Sequence, residues 1–307
     1  MLEPTIAISL SYLETHELIL LCRTYTSYSN TTRKYIKEFE LKDKYIHMTD
    51  ADIQYFKGIS SINLADCLQI TDNCFEYLKT VRTIDLTNCD QITDQALKHL
   101  HLNNIHKINL SYCSQITDLG LEHLQGVNTI NLTHCTEITD RGLAFLKGVR
   151  KISLFCCHKI TDLGLEHLKG VRVIDLGFCK QITDRGLEYL GSVRKIGLAN
   201  CSKITDDGLQ YLMGVHTIHL SNCSKITDNG LKYLEGVHTI NLLNCHHFTD
   251  SGLKYLKGAN TVNLRNCSQI TDSGLKYLQC TKVINLEYCH KITATGLAYL
   301  KDAEIKI

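Results

Sequence analysis

Eleven cysteines, Cys67, Cys89, Cys113, Cys135, Cys157, Cys179, Cys201, Cys223, Cys245, Cys267 and Cys289, recur every 22 residues, with one interval of 24 between Cys89 and Cys113. Nearly the same sentence surrounds each, and residues 217–237 give a representative copy. A Thr-Asp pair follows four residues after each cysteine, from Thr71-Asp72 to Thr271-Asp272, until the last copy reads Thr293-Ala294. A fixed period in the range of roughly 20 to 50 residues signals a solenoid, in which each unit buries its apolar face only against its neighbours. Length alone, 307 residues, suggests one large or two ordinary domains, and the repeat overrides that expectation.

Within each copy the run Ile-x-Leu (Ile84 and Leu86, Ile130 and Leu132, Ile218 and Leu220) alternates apolar with polar, as a short strand with one buried face does. The cysteine three residues after the Leu falls where the chain leaves the sheet. There a small thiol can fill the turn and bond weakly to loop backbone. The Thr-Asp pair supplies an oxygen to cap exposed N–H groups, and the spacing of Leu231 and Leu234 puts both on one side of a single short helix. Gly126, Gly148, Gly170, Gly214, Gly236 and Gly258 come just past that helix, where a left-handed residue ends it at little cost.

The pattern Val-x-x-Ile-x-Leu-x-x-Cys-x-x-Ile-Thr-Asp-x-Gly-Leu resembles the cysteine-containing class of leucine-rich repeats. The resemblance implies an α/β solenoid with a curved parallel sheet on the concave side and short helices on the convex side. Units of that class usually run a few residues longer, so the convex helices here are expected to be short or partly 3₁₀.

The formal charge is +1 and the pI about 7.5, so no global field argues for nucleic acid or membrane. No run approaches the roughly 18 apolar residues needed to span a bilayer. Ile6-Ala7-Ile8-Ser9-Leu10 lacks a basic flank and is followed by Glu14, His16 and Glu17, which is not a secretory signal. Fifteen cysteines are an odd count, and ladder cysteines about 5 Å apart could cross-link by Cα distance. Their inward orientation and the missing signal favour free thiols in a reducing, intracellular compartment, cytoplasmic or nuclear.

Residues 1–38 stand outside the repeat, and 39–307 form the expected solenoid. Ile6, Leu10 and Leu13, then Leu18, Leu21, Cys22 and Tyr25, have helical spacing, so two short amphipathic helices are predicted, with Thr15 capping the second. The stretch from Ser11 to Leu21 resembles the middle of an F-box, with Ser11-Tyr12-Leu13 followed by polar residues and the acidic-Leu pair Glu17-Leu18. Tyr28 stands where that family usually has a Trp, and the usual Leu-Pro opening is reduced to Leu2 and Pro4. From its helical pattern alone the same segment also suits a cap over the solenoid's first strand. Residues 39–50 form a degenerate first repeat with Tyr45 near the cysteine position. The two extra residues in His101-Leu102-Asn103-Asn104 should bulge on the convex side, and residues 303–307 give one last clipped strand.

Cys156-Cys157-His158, Cys245-His246-His247 and Cys289-His290 invite a zinc reading. Each set, however, contains a ladder cysteine facing the core, at repeat spacing rather than paired-ligand spacing. The Thr-Asp pairs occur too often to be catalytic, and the glycines recur as punctuation rather than as a phosphate loop. No enzymatic activity, metal or cofactor is expected.

The informative positions are departures from consensus on the concave face. The residue between Ile and Leu is mostly small and polar, as in Asn109, Asn131, Ser153, Asn241, Asn263 and Asn285. The residue after the Leu is mostly small, but Phe155 breaks that rule and Phe178 breaks it one place further on, where Tyr112, His134 and Cys156 also stand. Lys107, Arg150, Lys151, Arg172, Arg194 and Lys195 precede or open the strands beside them. Aromatics beside cations suit recognition of an extended, acidic protein partner; repeat drift with ordinary solubilising charge would give the same pattern. Tyr112, His134, Lys151, Phe155, Phe178 and Lys195 are the candidate substrate-binding set. Arg265 and Glu287 either extend that surface or solvate it.

Two functions remain open. Resemblance to F-box/leucine-rich-repeat proteins implies a substrate receptor of a cullin-RING ubiquitin ligase. It would dock a Skp-family adaptor through Leu10, Tyr12, Leu13, Leu18 and Leu21 and hold a protein substrate on the sheet. The alternative is a stand-alone scaffold or inhibitor in which residues 1–38 are only a cap.

Overall fold

The computed structural model describes residues 10, 12–35, 46–100 and 105–307. The chain divides into two compact units, Met1–Val149 and Arg150–Ile307. The expected boundary at 38/39, the start of the degenerate repeat with Tyr45, and the insertion His101-Leu102-Asn103-Asn104 lie outside the described residues.

In the first unit, helices α1 (Thr15–Thr24) and α2 (Thr26–Tyr35) precede four strands, β1 (Ser61–Asn63), β2 (Thr83–Asp85), β3 (Lys107–Asn109) and β4 (Thr129–Asn131). Each pairs in parallel with the next. The second unit contains β5 (Lys151–Ser153), β6 (Val173–Asp175), β7 (Lys195–Gly197), β8 (Thr217–His219), β9 (Thr239–Asn241), β10 (Thr261–Asn263), β11 (Val283–Asn285) and β12 (Glu304–Lys306). These also pair in parallel in chain order, with each strand's central apolar residue in register with the next. The clipped C-terminal segment is thus strand β12, with Ile305 opposite Ile284.

Most return paths are a turn of α-helix followed by a turn of 3₁₀-helix, as in Asp228–Leu231 and Lys232–Leu234. The 3₁₀ turn suits Leu-x-x-Leu because residues three apart eclipse and point the same way. In that copy Ile218, Leu220, Cys223, Ile226, Leu231, Leu234 and Val237 are all at most 2% exposed. Burial of the larger of these side chains contributes on the order of 2 kcal/mol each. Gly236 ends the turn at φ 83°, as expected.

Three ladders tie successive copies together. Most ladder thiols donate to the carbonyl of the strand-end Leu one repeat back: Cys223 Sγ to Leu198 O is 3.1 Å, and Cys245 Sγ to Leu220 O is 3.1 Å. Each Thr caps its own helix, with Thr227 Oγ1 accepting from Asn229 N at 3.2 Å. The Asp beside it reaches forward, which the sequence did not suggest: Asp206 accepts from both Thr227 N (2.8 Å) and Thr227 Oγ1 (2.5 Å). The third ladder is made of amides before the cysteines, with Asn266 Nδ2 donating to Asn244 Oδ1 and Asn244 Nδ2 to Asn222 Oδ1, both at 2.8 Å.

The Asp clamp also explains the Gly of Thr-Asp-x-Gly-Leu. A Cβ on Gly208 would collide with Asp184 Oδ1, and one on Gly230 with Asp206 Oδ1. The glycine is there for close approach, not for an unusual φ.

All fifteen cysteines are free thiols, and Cys280 is the exposed one. Burial pushes the Cys113 and Cys245 thiols up to about 11 and those of Cys135 and Cys201 to about 12. A thiol held protonated and buried is a poor nucleophile. Native protein should therefore release one rapid equivalent from Ellman's reagent, lost in Cys280→Ser, with the rest reacting only on denaturation. Two or more rapid equivalents would show that the rungs open.

Candidate functional site

The third residue of most strands holds a turn as well as facing outward. Asn241 Oδ1 accepts from Leu243 N, Asn263 Oδ1 from Arg265 N and Asp175 Oδ1 from Gly177 N, each at 3.0 Å. These Asn and Asp residues are therefore turn anchors as well as small polar surface residues. Departures in the same row therefore carry more information, and from β5 to β11 they are Ser153, Gly197 and His219.

The chain then turns tightly, Cys179 N donating to Leu176 O at 3.0 Å. The residue before every ladder cysteine adopts left-handed backbone. Asn occupies that place in four consecutive copies, Asn200 to Asn266, at φ 58–60°, and Asn accepts this region readily. Phe178 sits there at φ 62°, where a bulky residue is strained by roughly 1–2 kcal/mol.

Phe178 and Phe155 meet edge to face, with ring centroids 5.1 Å apart and planes at 66°. Phe155 lies over the turn that follows β6, on Gly177, where a Cβ would come within 2.7 Å of its ring. Gly177 was not singled out from the sequence, although a Gly in a row of Thr, Ser and Ala was the available signal. Asp175 fills the place of the missing Cβ at Gly197. Burial lowers the His219 pKa, helped by the Lys195 charge and opposed by Asp175. Lys151 and Lys195 are exposed, on either side of Val173 in the pairing register.

Tyr112 and His134 lie in the first unit, at φ 63° and 60°, with rings stacked at 4.6 Å and 15°. Cys156 shares the left-handed position but is buried. At the C-terminal end Arg265 covers the Tyr288 ring at 5.1 Å and pairs with Glu287 at 3.5 Å.

Of the proposed adaptor contacts, Leu10 and Leu18 are 3% and 1% exposed, so they belong to the chain's own core; Leu13 and Leu21 are half-buried, and Tyr12 is 84% exposed. Glu14, not Thr15, caps α1: its N–H donates to Glu17 Oε2 at 3.0 Å, while Thr15 is buried. Arg23 forks onto Asp52 (2.7 and 2.6 Å), joining α1 to the helix Asp50–Ile53. Burial alone would raise the Asp52 carboxyl, but bonds from Arg23 and Thr49 hold it below 3.8. The joint therefore has full strength above that value and weakens as Asp52 takes a proton at lower pH. Asp52→Asn should cost about 1.5–3 kcal/mol, seen as faster proteolysis within α1 and α2 with the repeats still folded. Unchanged proteolysis would exclude this joint.

The cysteine-histidine sets place thiols inside and His158, His246, His247 and His290 outside. Among the described residues no three His, Cys, Asp or Glu converge as metal ligands. No helix among them is long and apolar enough to cross a membrane.

A leucine-rich-repeat family profile matches residues 171–191. An internalin, InlF of Listeria monocytogenes, superposes over 91% of this chain and 93% of its own, with TM-score 0.62 and 18% identity. A leucine-rich-repeat solenoid is the fold. A chain of the yeast Rad7 and Elc1 complex covers 99% of this chain and 92% of its own (TM-score 0.55, 14% identity), and one from the Drosophila Toll and Spätzle complex covers 79% and 38% (0.55, 13%). No curated protein matches the sequence. Leucine-rich-repeat solenoids are protein-interaction modules, and likeness at these identities speaks to the fold alone.

Proposed function

We propose that this leucine-rich-repeat chain is a protein-binding receptor whose second unit grips a protein partner around Phe155 and Phe178. The observation that carries it is Phe178 at φ 62° against Phe155, where the four copies that follow use Asn. Strain of this kind points to function when an easier residue is at hand. The paired rings supply a rigid aromatic anchor, and Lys151 and Lys195 supply charge at the start of β5 and β7. Tyr112 and His134 form a smaller aromatic platform of the same kind in the first unit.

The N-terminal resemblance makes the partner a substrate and the protein an F-box type receptor of a cullin-RING ligase, acting by proximity to chemistry in other subunits. Because Leu10 and Leu18 are buried, the exposed Tyr12 and Leu20 (84% and 51%) are the adaptor-facing candidates. Purified Skp-family adaptor should bind wild type and lose at least tenfold in affinity for Tyr12→Asp with Leu20→Asp; no binding to wild type overturns the ligase reading.

A second reading, a stand-alone scaffold with residues 1–38 as its cap, is favoured by the buried Leu18 and Ile19 and by the Arg23–Asp52 fork. It predicts partner binding with no adaptor affinity.

A further inference from the structure

The residue immediately before each strand of the second unit points to the partner's chemistry. Arg172 N donates to Arg150 O, Arg194 N to Arg172 O, His216 N to Arg194 O and His238 N to His216 O, at 2.8–3.0 Å. This unbroken ladder fixes Arg150, Arg172, Arg194, His216 and His238 on adjacent rungs about 4.8 Å apart. All five are exposed. His216 and His238 stack at 4.5 Å and 14°, each turning Nδ1 to its own neighbouring threonine. None of the three guanidiniums has an ion-pair partner among the described residues. Lys151 and Lys195 add charge at the first strand positions beside the column.

Like charges in register across parallel strands repel, a destabilisation that an anionic partner reverses. In a chain of net charge +1 this is a local excess and not a general basic character. Three unpaired guanidiniums are also the donors best shaped for carboxylates, which they hold two bonds at a time.

We propose that this column is a docking track for an extended acidic segment of the protein that the Phe155–Phe178 anchor takes; the inference rests on that reading of the second unit. Five rungs span about 19 Å, the reach of roughly six extended residues. A partner carrying a run of Asp or Glu, with an apolar anchor residue about a strand's length away, therefore fits both features. Carboxylates, and not backbone phosphates, are assigned because the same strands end in an apolar ring pair suited to a protein side chain, and a nucleic acid needs a broader field.

Fluorescence anisotropy of a labelled ten-residue poly-glutamate peptide with the full chain tests this. Binding at 20 mM salt should weaken at least tenfold at 200 mM. It should also fall at least tenfold in Arg150→Gln with Arg172→Gln and Arg194→Gln, all three at exposed positions, and circular dichroism checks that the variant is folded. Single Arg172→Gln should give a smaller loss in the same direction. Phe178→Asn should leave peptide binding unchanged, because the peptide has no apolar anchor. No binding of the peptide, equal binding by the triple variant, or tighter binding of a labelled ten-nucleotide oligo-dT would overturn the track. The anchor reading would survive any of these if Phe178→Asn still released the natural partner.

Discussion

Gly208→Ala should destabilise the protein by about 2–3 kcal/mol, and the same substitution should become neutral or stabilising once Asp184 has been replaced by alanine. The new methyl would occupy the position of Asp184 Oδ1, so Asp184 would have to release Thr205 N and Thr205 Oγ1, which it now holds at 2.8 and 2.7 Å. Hydrogen bonds to a charged group contribute roughly 1.5–3 kcal/mol net. The other near atom, Leu187 Cδ1 at 3.1 Å, is the tip of a side chain that can move by a few tenths of an ångström. With Asp184→Ala already in place there is no clamp left to displace. Alanine then gains over glycine inside the helix Asp206–Leu209, by up to about 1 kcal/mol. Urea unfolding of the four proteins of this cycle should give a coupling of 2 kcal/mol or more. Additive losses would mean that the glycine and the aspartate serve separate purposes.

The second large effect is on recognition. Phe178→Asn should lower affinity for the natural partner by at least thirtyfold, while overall stability stays within about 1 kcal/mol of wild type. Relief of left-handed strain (about 1–2 kcal/mol) and a new rung toward Asn200 offset the lost edge-to-face contact with Phe155, worth roughly 0.5–1.5 kcal/mol. An anchor aromatic in an interface is commonly worth 2 kcal/mol or more on truncation. Partner titration beside thermal unfolding checks both halves, and wild-type affinity in the folded variant would remove Phe178 from the interface.

Much of the fold could be read from one copy of the repeat. Ile-x-Leu, the cysteine and Leu-x-x-Leu each place a side chain inward by local periodicity, and a parallel stack is the arrangement that buries them all. What escaped was contact between copies. Nothing inside Thr227-Asp228 says that the aspartate belongs to Thr249 of the next repeat, or that Gly252 is small to make room for it. Amphipathic spacing in the N-terminal helices was equally ambiguous, because Leu18 has the same pattern whether it faces a partner or its own core.

The candidate site was legible as a set of exceptions, and Phe155 and Phe178 stood out by size alone. Their geometry was not legible, since it depends on backbone that turns left-handed before each cysteine and on Gly177 in the turn of the neighbouring copy. The Asn residues of the outward row misled in the opposite direction: polar and half-exposed, they look available, yet each holds the turn that follows it.

The joint between copies has a direction. Aspartate and leucine carbonyl face forward; threonine and thiol face back. An interior copy of the second unit can therefore be excised or duplicated as a 22-residue cassette and the seam will close with the same four groups. Copy number then acts as a ruler, lengthening or shortening the outward face in steps of one strand spacing without redesign of any single rung.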